Sequence, residues 1–199
     1  ETKKVLDVGC GTGDFLLKCK KNGWDVIGVE PNENANNLAT SKLFESSTSE
    51  IYQNLFDLKQ EKFDVITLWH VLEHVPNLED YILKLKLLLK PNGVLVIAVP
   101  NFKSYDAYYY KEFWAAFDVP RHLWHFSKKS IELLFSKIQM NVRKTNPMIF
   151  DSFYVSLLSE KHKNGQSNFL KAFLIGFLSN IKAFRTKEYS SLIYIIKNN

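Results

Sequence analysis

Three glycines at alternate positions, Gly9, Gly11 and Gly13, sit in VLDVGCGTGDF (5–15), after an apolar run and before a helical pattern. Glycine removes side chains from such a bend and lets the backbone take positive φ, so a ligand can lie against the chain. A carboxylate, Glu30, closes the next apolar run, 21 residues beyond Gly9. There it can accept hydrogen bonds from both hydroxyls of a ribose. Histidine, which titrates near neutral pH, supplies the candidate bases. His70 and His74 fall in HVLEH (70–74), and His122 and His125 in VPRHLWHFS (119–127). HVLEH also fits H-x-x-E-H, a zinc-protease signature. Zinc needs both histidines on one face of a sustained helix and a third ligand. The stretch is hemmed in between a buried strand and Pro76, and no third ligand announces itself. No metal is therefore assigned, and Glu73 and His74 are expected to satisfy local backbone groups.

The elements that must position these residues follow from hydrophobic periodicity. Short apolar runs predict strands at KKVLDVG (3–9), WDVIGVE (24–30), SEIYQN (49–54), KFDVITLW (62–69) and VLVIAVP (94–100). Helical patterns separate them at 14–23, 31–44 and 78–90, and PNG (91–93) is expected to turn the chain into the fifth strand. This alternation implies an α/β, Rossmann-like, doubly wound sheet with helices on both faces. Its strands are mostly parallel, and YSSLIYIIKNN (189–199) returns as an antiparallel last strand. Ligands in such sheets bind beyond the carboxyl ends of the strands.

The bend then favours one ligand class. Dinucleotide enzymes use G-x-G-x-x-G, so that a pyrophosphate rests on a helix N-terminus. Here the spacing is G-x-G-x-G followed by Asp14, whose charge would repel a pyrophosphate but not the cationic sulfonium of S-adenosylmethionine. VLDVGCGTGDF, VIGVEPN, KFDVITLWHVLEHVPN and LLKPNGVLVIAVPN together resemble class I S-adenosylmethionine-dependent methyltransferases, in particular a bacterial group with a PRHLWHFS-type segment. The resemblance covers residues 3 to about 135. It implies that Asp7, Gly9, Cys10, Gly11 and Gly13 line the methionine and ribose side of the cofactor. Glu30 would hold the ribose, with Pro31 shaping the turn after it. Asn54 and Leu55 would lie against adenine, and Trp69 and His70 near the methyl end. The expected function is methyl transfer from S-adenosylmethionine to a small-molecule or lipid-like acceptor, with oxygen as the acceptor atom. A non-catalytic S-adenosylmethionine-binding module serving a partner protein is the alternative. An NAD-dependent oxidoreductase is disfavoured by Asp14.

Residues 101–127 carry ten aromatic side chains and are expected to cover the strand ends as a lid, most of them packing on one another. Within it His122 is the first choice of base, followed by His70 and His125. Arg121 pairs either with an acidic acceptor or with Asp118. The helix after the lid should start at Ser127, a good N-cap. Beyond it come a strand at 141–150, a helix at 152–160 and a polar loop at 161–168. The apolar helix 169–184 is expected to be buried against the lid, with contact to a membrane surface or a second subunit as the alternative. The whole chain reads as one domain.

Composition sets the remaining bounds. With 199 residues, 46% apolar and 24% charged, the chain is ordinary for a globular domain. Its net charge of +5 comes from scattered lysines and arginines, which argues against a nucleic-acid partner. Two cysteines make no disulfide framework, no signal peptide is visible, and no apolar run is long enough to span a bilayer. A cytoplasmic protein with reduced thiols is expected.

Overall fold

In a computed structural model, the structure describes residues 2–43, 50–59 and 61–199. The expected ends at Phe44 and Ser49 lie outside the described residues. Strands β1 (Lys4–Val8), β2 (Asp25–Val29), β3 (Glu50–Tyr52), β4 (Phe63–Trp69) and β5 (Leu89–Pro100) alternate with helices α1 (Asp14–Lys21), α2 (Glu33–Leu43) and α3 (Leu78–Leu88). The lid helix α4 (Tyr105–Tyr110), α5 (Lys128–Ser136), β6 (Met140–Pro147), α6 (Asp151–Asn164), α7 (Phe169–Thr186) and β7 (Ser191–Asn198) follow. Seven strands form one sheet in the order β3-β2-β1-β4-β5-β7-β6. All are parallel except β7, which runs antiparallel to both β5 and β6.

Strand alternation divides the core between two faces. Val5 and Val26 pack with Leu16 of α1 and with Ala39 and Leu43 of α2. Leu6, Val8 and Ile27 pack with Leu78, Ile82 and Leu85 of α3 and with Ile131 and Phe135 of α5. Ser127 caps α5 in a reciprocal pair with Ser130, as the N-cap preference predicts.

Three expectations need correction. Residues 91–93 do not interrupt β5, which already pairs at Leu89 with Phe63 and absorbs the irregularity as a register shift between Phe63 and Val65. Helix α6 continues through 161–164 and ends at Gly165 in the left-handed conformation, so the expected polar loop shrinks to a few residues. Finally, α7 buries only one side. Ala172, Ile175 and Ala183 are buried, while Leu170, Phe173, Leu174 and Phe184 stand in the open.

The topology explains where the extra helices go. Pro100 at the end of β5 pairs with Ser191 at the start of β7, and Pro147 at the end of β6 pairs with Leu192. Everything inserted between β6 and β7 therefore starts and finishes at the carboxyl ends of the parallel strands. Helices α6 and α7 meet α4 there in a core of their own, built on Ala107, Tyr110, Trp114, Val155 and Ile175. Buried Asp106 ties it together, accepting hydrogen bonds from Trp114 Nε1, Ser179 Oγ and Ser190 Oγ, each at 2.7 Å. Most lid aromatics are thus packing groups, and the cover is made by two insertions rather than one. Among the described residues no helix is long and apolar enough to cross a membrane.

Candidate active site

Parallel pairing sets Val8 beside Val29 and beside Leu68, so the residues just past each strand converge at one edge. The chain leaves β1 at Gly9, whose N–H donates to Val29 O at 2.7 Å; the N–H of Cys10 reaches the same oxygen at 3.1 Å. Gly9 has φ 73°, and a Cβ there would lie 2.4 Å from Val71 Cγ2. Gly11 differs: with φ 54° it has nothing within 4 Å of the position a Cβ would take. One glycine is required by close packing, and the other leaves bare backbone facing open space. Gly13 caps α1 in the left-handed conformation.

Glu30 closes over this bend. Its Oε2 accepts the Gly11 N–H at 2.8 Å and its Oε1 the Asn32 N–H at 2.9 Å. Each oxygen keeps further lone-pair capacity for a ligand hydroxyl. Pro31 is exposed on the turn that follows. Asp7 lies below, on the α1 side of β1, where Thr67 Oγ1 donates to Oδ1 at 2.6 Å. Burial pushes its carboxyl up to about 7; the Thr67 hydrogen bond opposes this and the Glu30 charge adds to it. Cys10 is buried beside them, its thiol pushed up to about 12 by burial and then by Asp7 and Glu30. A non-ionised thiol of this kind packs rather than reacts.

The two residues expected at the adenine side differ in exposure. Leu55 is 1% exposed and belongs to the main core, so only its backbone can meet a ligand. Asn54 is exposed and caps its own 3₁₀ turn through Oδ1, which accepts Phe56 N–H at 3.0 Å. The exposed neighbour Phe56, which sequence reading passed over, offers a ring at this edge, 6.2 Å edge-on to Tyr81.

Trp69 ends β4 edge-on to Phe15, with centroids 5.8 Å apart and a buried Nε1 that has no partner among the described residues. His70 follows at φ 55°. Its Nδ1 stands 3.3 Å from Glu73 Oε1 and its Nε2 3.2 Å from Asp151 Oδ2. Burial alone would lower its pKa, but hydrogen bonding to Asp151 and Glu73 outweighs that and lifts it to about 9. That shift favours the imidazolium, which has no lone pair, and argues against His70 as the base. Asp151, the first residue of α6, had no signal in the sequence. Only the return of the chain from β6 brings it here.

His70, Glu73, Asp151, Asp118, Arg121 and His122 line a cavity of about 520 Å³, closed on its other side by Tyr154, Val155 and Leu158 of α6. His122 is half-buried, with Nδ1 2.8 Å from Ala116 O and Nε2 3.8 Å from Asp118 Oδ2. A carbonyl partner makes Nδ1 the donor and leaves the Nε2 lone pair free. Arg121 is exposed and pairs with Asp118 Oδ1 at 2.7 Å, locking the loop. His125 does not reach this cavity: its Nε2 lies 3.0 Å from Phe117 O and its ring stands edge-on to Phe117.

HVLEH also departs from expectation. His74 Nδ1 meets Arg121 O at 3.0 Å, far along the chain rather than locally. Glu73 is 0% exposed; its carboxylate faces His70 Nδ1 at 3.3 Å and has no other donor among the described residues. A third residue of ligating type lies close by. Glu73, His74 and His122 bring one ligand atom each within 4.8 Å of one another, and the two imidazoles meet edge-to-face at 4.6 Å.

A family profile describing a methyltransferase domain matches residues 1–145. The chain belongs to that family. This methyltransferase domain is 39% identical over 108 residues to a ubiquinone biosynthesis O-methyltransferase of Actinobacillus pleuropneumoniae, a match covering 50% of the chain and 46% of the relative. It is 38% identical over 113 residues to that of Pasteurella multocida, covering 50% and 47%. The chain thus spans about half the length of the curated relatives it matches. Among solved structures, the cyclopropane synthase MmaA2 from Mycobacterium tuberculosis aligns with a TM-score of 0.66 at 15% identity, over 98% of the methyltransferase domain and 78% of that chain. Magnesium protoporphyrin IX methyltransferase from Synechocystis PCC 6803, with bound SAH, aligns at 0.65 and 17% identity, over 100% and 75%. At such identities the likeness is one of fold.

Proposed function

We propose that this methyltransferase domain, residues 1–199 acting as one unit, binds S-adenosylmethionine across the Gly9–Gly13 bend and methylates an oxygen of a small-molecule or lipid-like acceptor. The observation that carries the reading is Glu30, poised over open backbone at Gly11 by hydrogen bonds of 2.8 and 2.9 Å. A fixed carboxylate beside bare backbone suits a ribose and a cationic side chain, and disfavours a pyrophosphate. Asp7, Cys10 and Gly13 would flank the methionine part, Asn54 and Phe56 the adenine edge, Pro31 the turn beneath the ribose, and Trp69 the methyl end. Bound there, S-adenosylmethionine supplies a methyl group on a positively charged sulfur.

The domain's own residues then have separable tasks. The cavity walls hold the acceptor in line, which is most of what such a displacement requires. His122 accepts the acceptor's hydroxyl proton at Nε2, its Nδ1–H remaining on Ala116 O. Asp118 steadies the resulting imidazolium. His70 stays charged between Glu73 and Asp151, fixing α6 against the end of β4. The relatives' printed name favours oxygen as the acceptor atom, and the apolar wall of Val155 and Leu158 favours an acceptor with an apolar body. We place the protein in the cytoplasm, where Cys10 and Cys19, both free, stay reduced.

Calorimetry with S-adenosylmethionine, S-adenosylhomocysteine and NAD tests the first half. The first two should bind, and Glu30→Ala should weaken them about 10- to 100-fold, the worth of one or two hydrogen bonds to a charged group. Unchanged affinity in the variant, or preference for NAD, sinks the assignment. Transfer of labelled methyl to a metabolite extract tests the second half and separates an enzyme from a non-catalytic module.

A second reading rests on Glu73, His74 and His122. A buried carboxylate that meets only His70, and two imidazoles oriented by backbone carbonyls, have the chemistry of a divalent-cation site. A cation there would fix the acceptor oxygen in place of a base at His122. Turnover lost on chelation and restored by zinc or magnesium supports it; turnover indifferent to chelation retires it.

A further inference from the structure

The basic residues are not spread as evenly as the net charge suggests. Residues 161–187 contain Lys161, Lys163, Lys171, Lys182, Arg185 and Lys187 and no Asp or Glu. With those six set aside, the remaining chain carries 20 basic against 21 acidic residues. The whole excess of positive charge therefore sits in the end of α6 and in α7. The same segment carries the molecule's densest exposed apolar surface. Leu170, Phe173, Leu174, Phe177, Ile181 and Phe184 are between 48% and 73% exposed, and at helical spacing they share one side of α7. The opposite side packs into the lid core through Ile175, with Ala172 and Ala183 also buried there, so the helix is held flat with its apolar side outward.

We propose that α7 docks this protein on an anionic lipid bilayer, lying in the interface plane. A helix anchored along one side and lacking any span-length apolar window cannot cross a membrane, but apolar side chains with cations beside them suit the headgroup boundary. Lys171, Lys182 and Arg185 fall along one border of the apolar side, while Lys161 and Lys163 lead into the helix. Lys171 stands 3.1 Å from the buried Glu160. The other five form no ion pair among the described residues; Lys182 Nζ sits 3.4 Å over the Tyr105 ring, which leaves Lys161, Lys163, Arg185 and Lys187 to meet phosphate. Charge also decides between the two possible occupants. A second copy of α7 would bring a like-charged face with no carboxylate against this one, whereas anionic lipid neutralises it, at about 1 kcal/mol per cation in general. The inference stands whether or not the cavity is a methyl-transfer site.

Flotation of the 199-residue chain with vesicles tests it. Vesicles of phosphatidylcholine mixed equally with phosphatidylglycerol should carry the protein. Pure phosphatidylcholine, or the mixed vesicles in about 0.5 M salt, should bind it roughly tenfold or more weakly. Leu170→Glu/Leu174→Glu should remove binding, and Lys161→Gln/Lys163→Gln/Arg185→Gln should weaken it about 100-fold. Thermal unfolding and S-adenosylmethionine calorimetry on the same samples report whether the fold and the cofactor site are intact. Absence of binding to anionic vesicles, or full binding by the glutamate variant, overturns the proposal. A dimer in light scattering that the glutamate variant dissolves overturns it in favour of a second copy.

Discussion

Asp7 should make the ligand-free protein less stable as the solution becomes less acidic. Its carboxyl, 2% exposed, is carried from 3.8 to about 7, mainly by burial. Between about pH 4 and 7 the native state therefore holds a proton that the unfolded chain has released. Stability must fall with rising pH across that window, and above pH 7 the full cost of a buried charge stands. At 1.36 kcal/mol per tenfold, that cost is on the order of 4 kcal/mol. Asp7→Asn cannot ionise, and its Oδ1 can still accept from Thr67. The variant's advantage over the parent should grow by about 2–3 kcal/mol between pH 5 and pH 8. The measurement is denaturant unfolding of both proteins at matched pH values. Subtracting one curve from the other cancels His70 and every other titrating group that the substitution leaves alone. A cationic ligand near Asp7 should reverse the penalty, so S-adenosylmethionine should bind the parent more tightly as pH rises through 7 and release a proton as it does. A difference curve that stays flat between pH 5 and 8 would refute the buried-carboxyl argument, whatever the ligand does.

Gly9→Ala should cost about 2–4 kcal/mol in thermal unfolding, since it adds a Cβ 2.4 Å from Val71 Cγ2 at a φ of 73°. Adding Val71→Ala should recover the clash but not the backbone strain, so complete rescue would count against that division. Asp151→Asn should bring the His70 pKa down from about 9, read by NMR titration of the ring. The parent gains stability from charged His70 below pH 6.5 and loses it as pH rises through 9, and the variant should show less of that loss. His122→Ala should lower kcat about 10²- to 10⁴-fold on an identified hydroxyl acceptor while leaving S-adenosylmethionine affinity alone. Full turnover would exclude the base at His122.

Gly11 and Glu30 could be paired on paper because a parallel β–α–β unit has almost no freedom. Register sets Val8 beside Val29, and whatever follows each strand must meet at the same edge. The sheet, its one antiparallel strand and the capped start of α5 were legible for the same reason, since each follows from contiguous residues and a short-range rule. PNG (91–93) misled because β5 itself carries the extra residues as an irregularity, its pairing passing from Leu89–Phe63 to Val94–Val65. The burial of Leu55 was not legible because one position in a 3₁₀ turn exchanges a buried side chain for an exposed one, here Phe56.

The sequence by itself determined the cofactor end of this protein: the fold, the bare bend and the acid facing it. Only the tertiary structure decided the cavity proposed for the acceptor. His70 meets Asp151, and Glu73 and His74 meet His122, through chain separations that no periodicity spans. Those contacts depend on how the segment between β6 and β7 packs back on the lid, through the Asp106 hydrogen bonds and a small apolar core. Such packing is a balance of many weak contacts spread along the chain, and it leaves no local pattern from which a neighbour can be read.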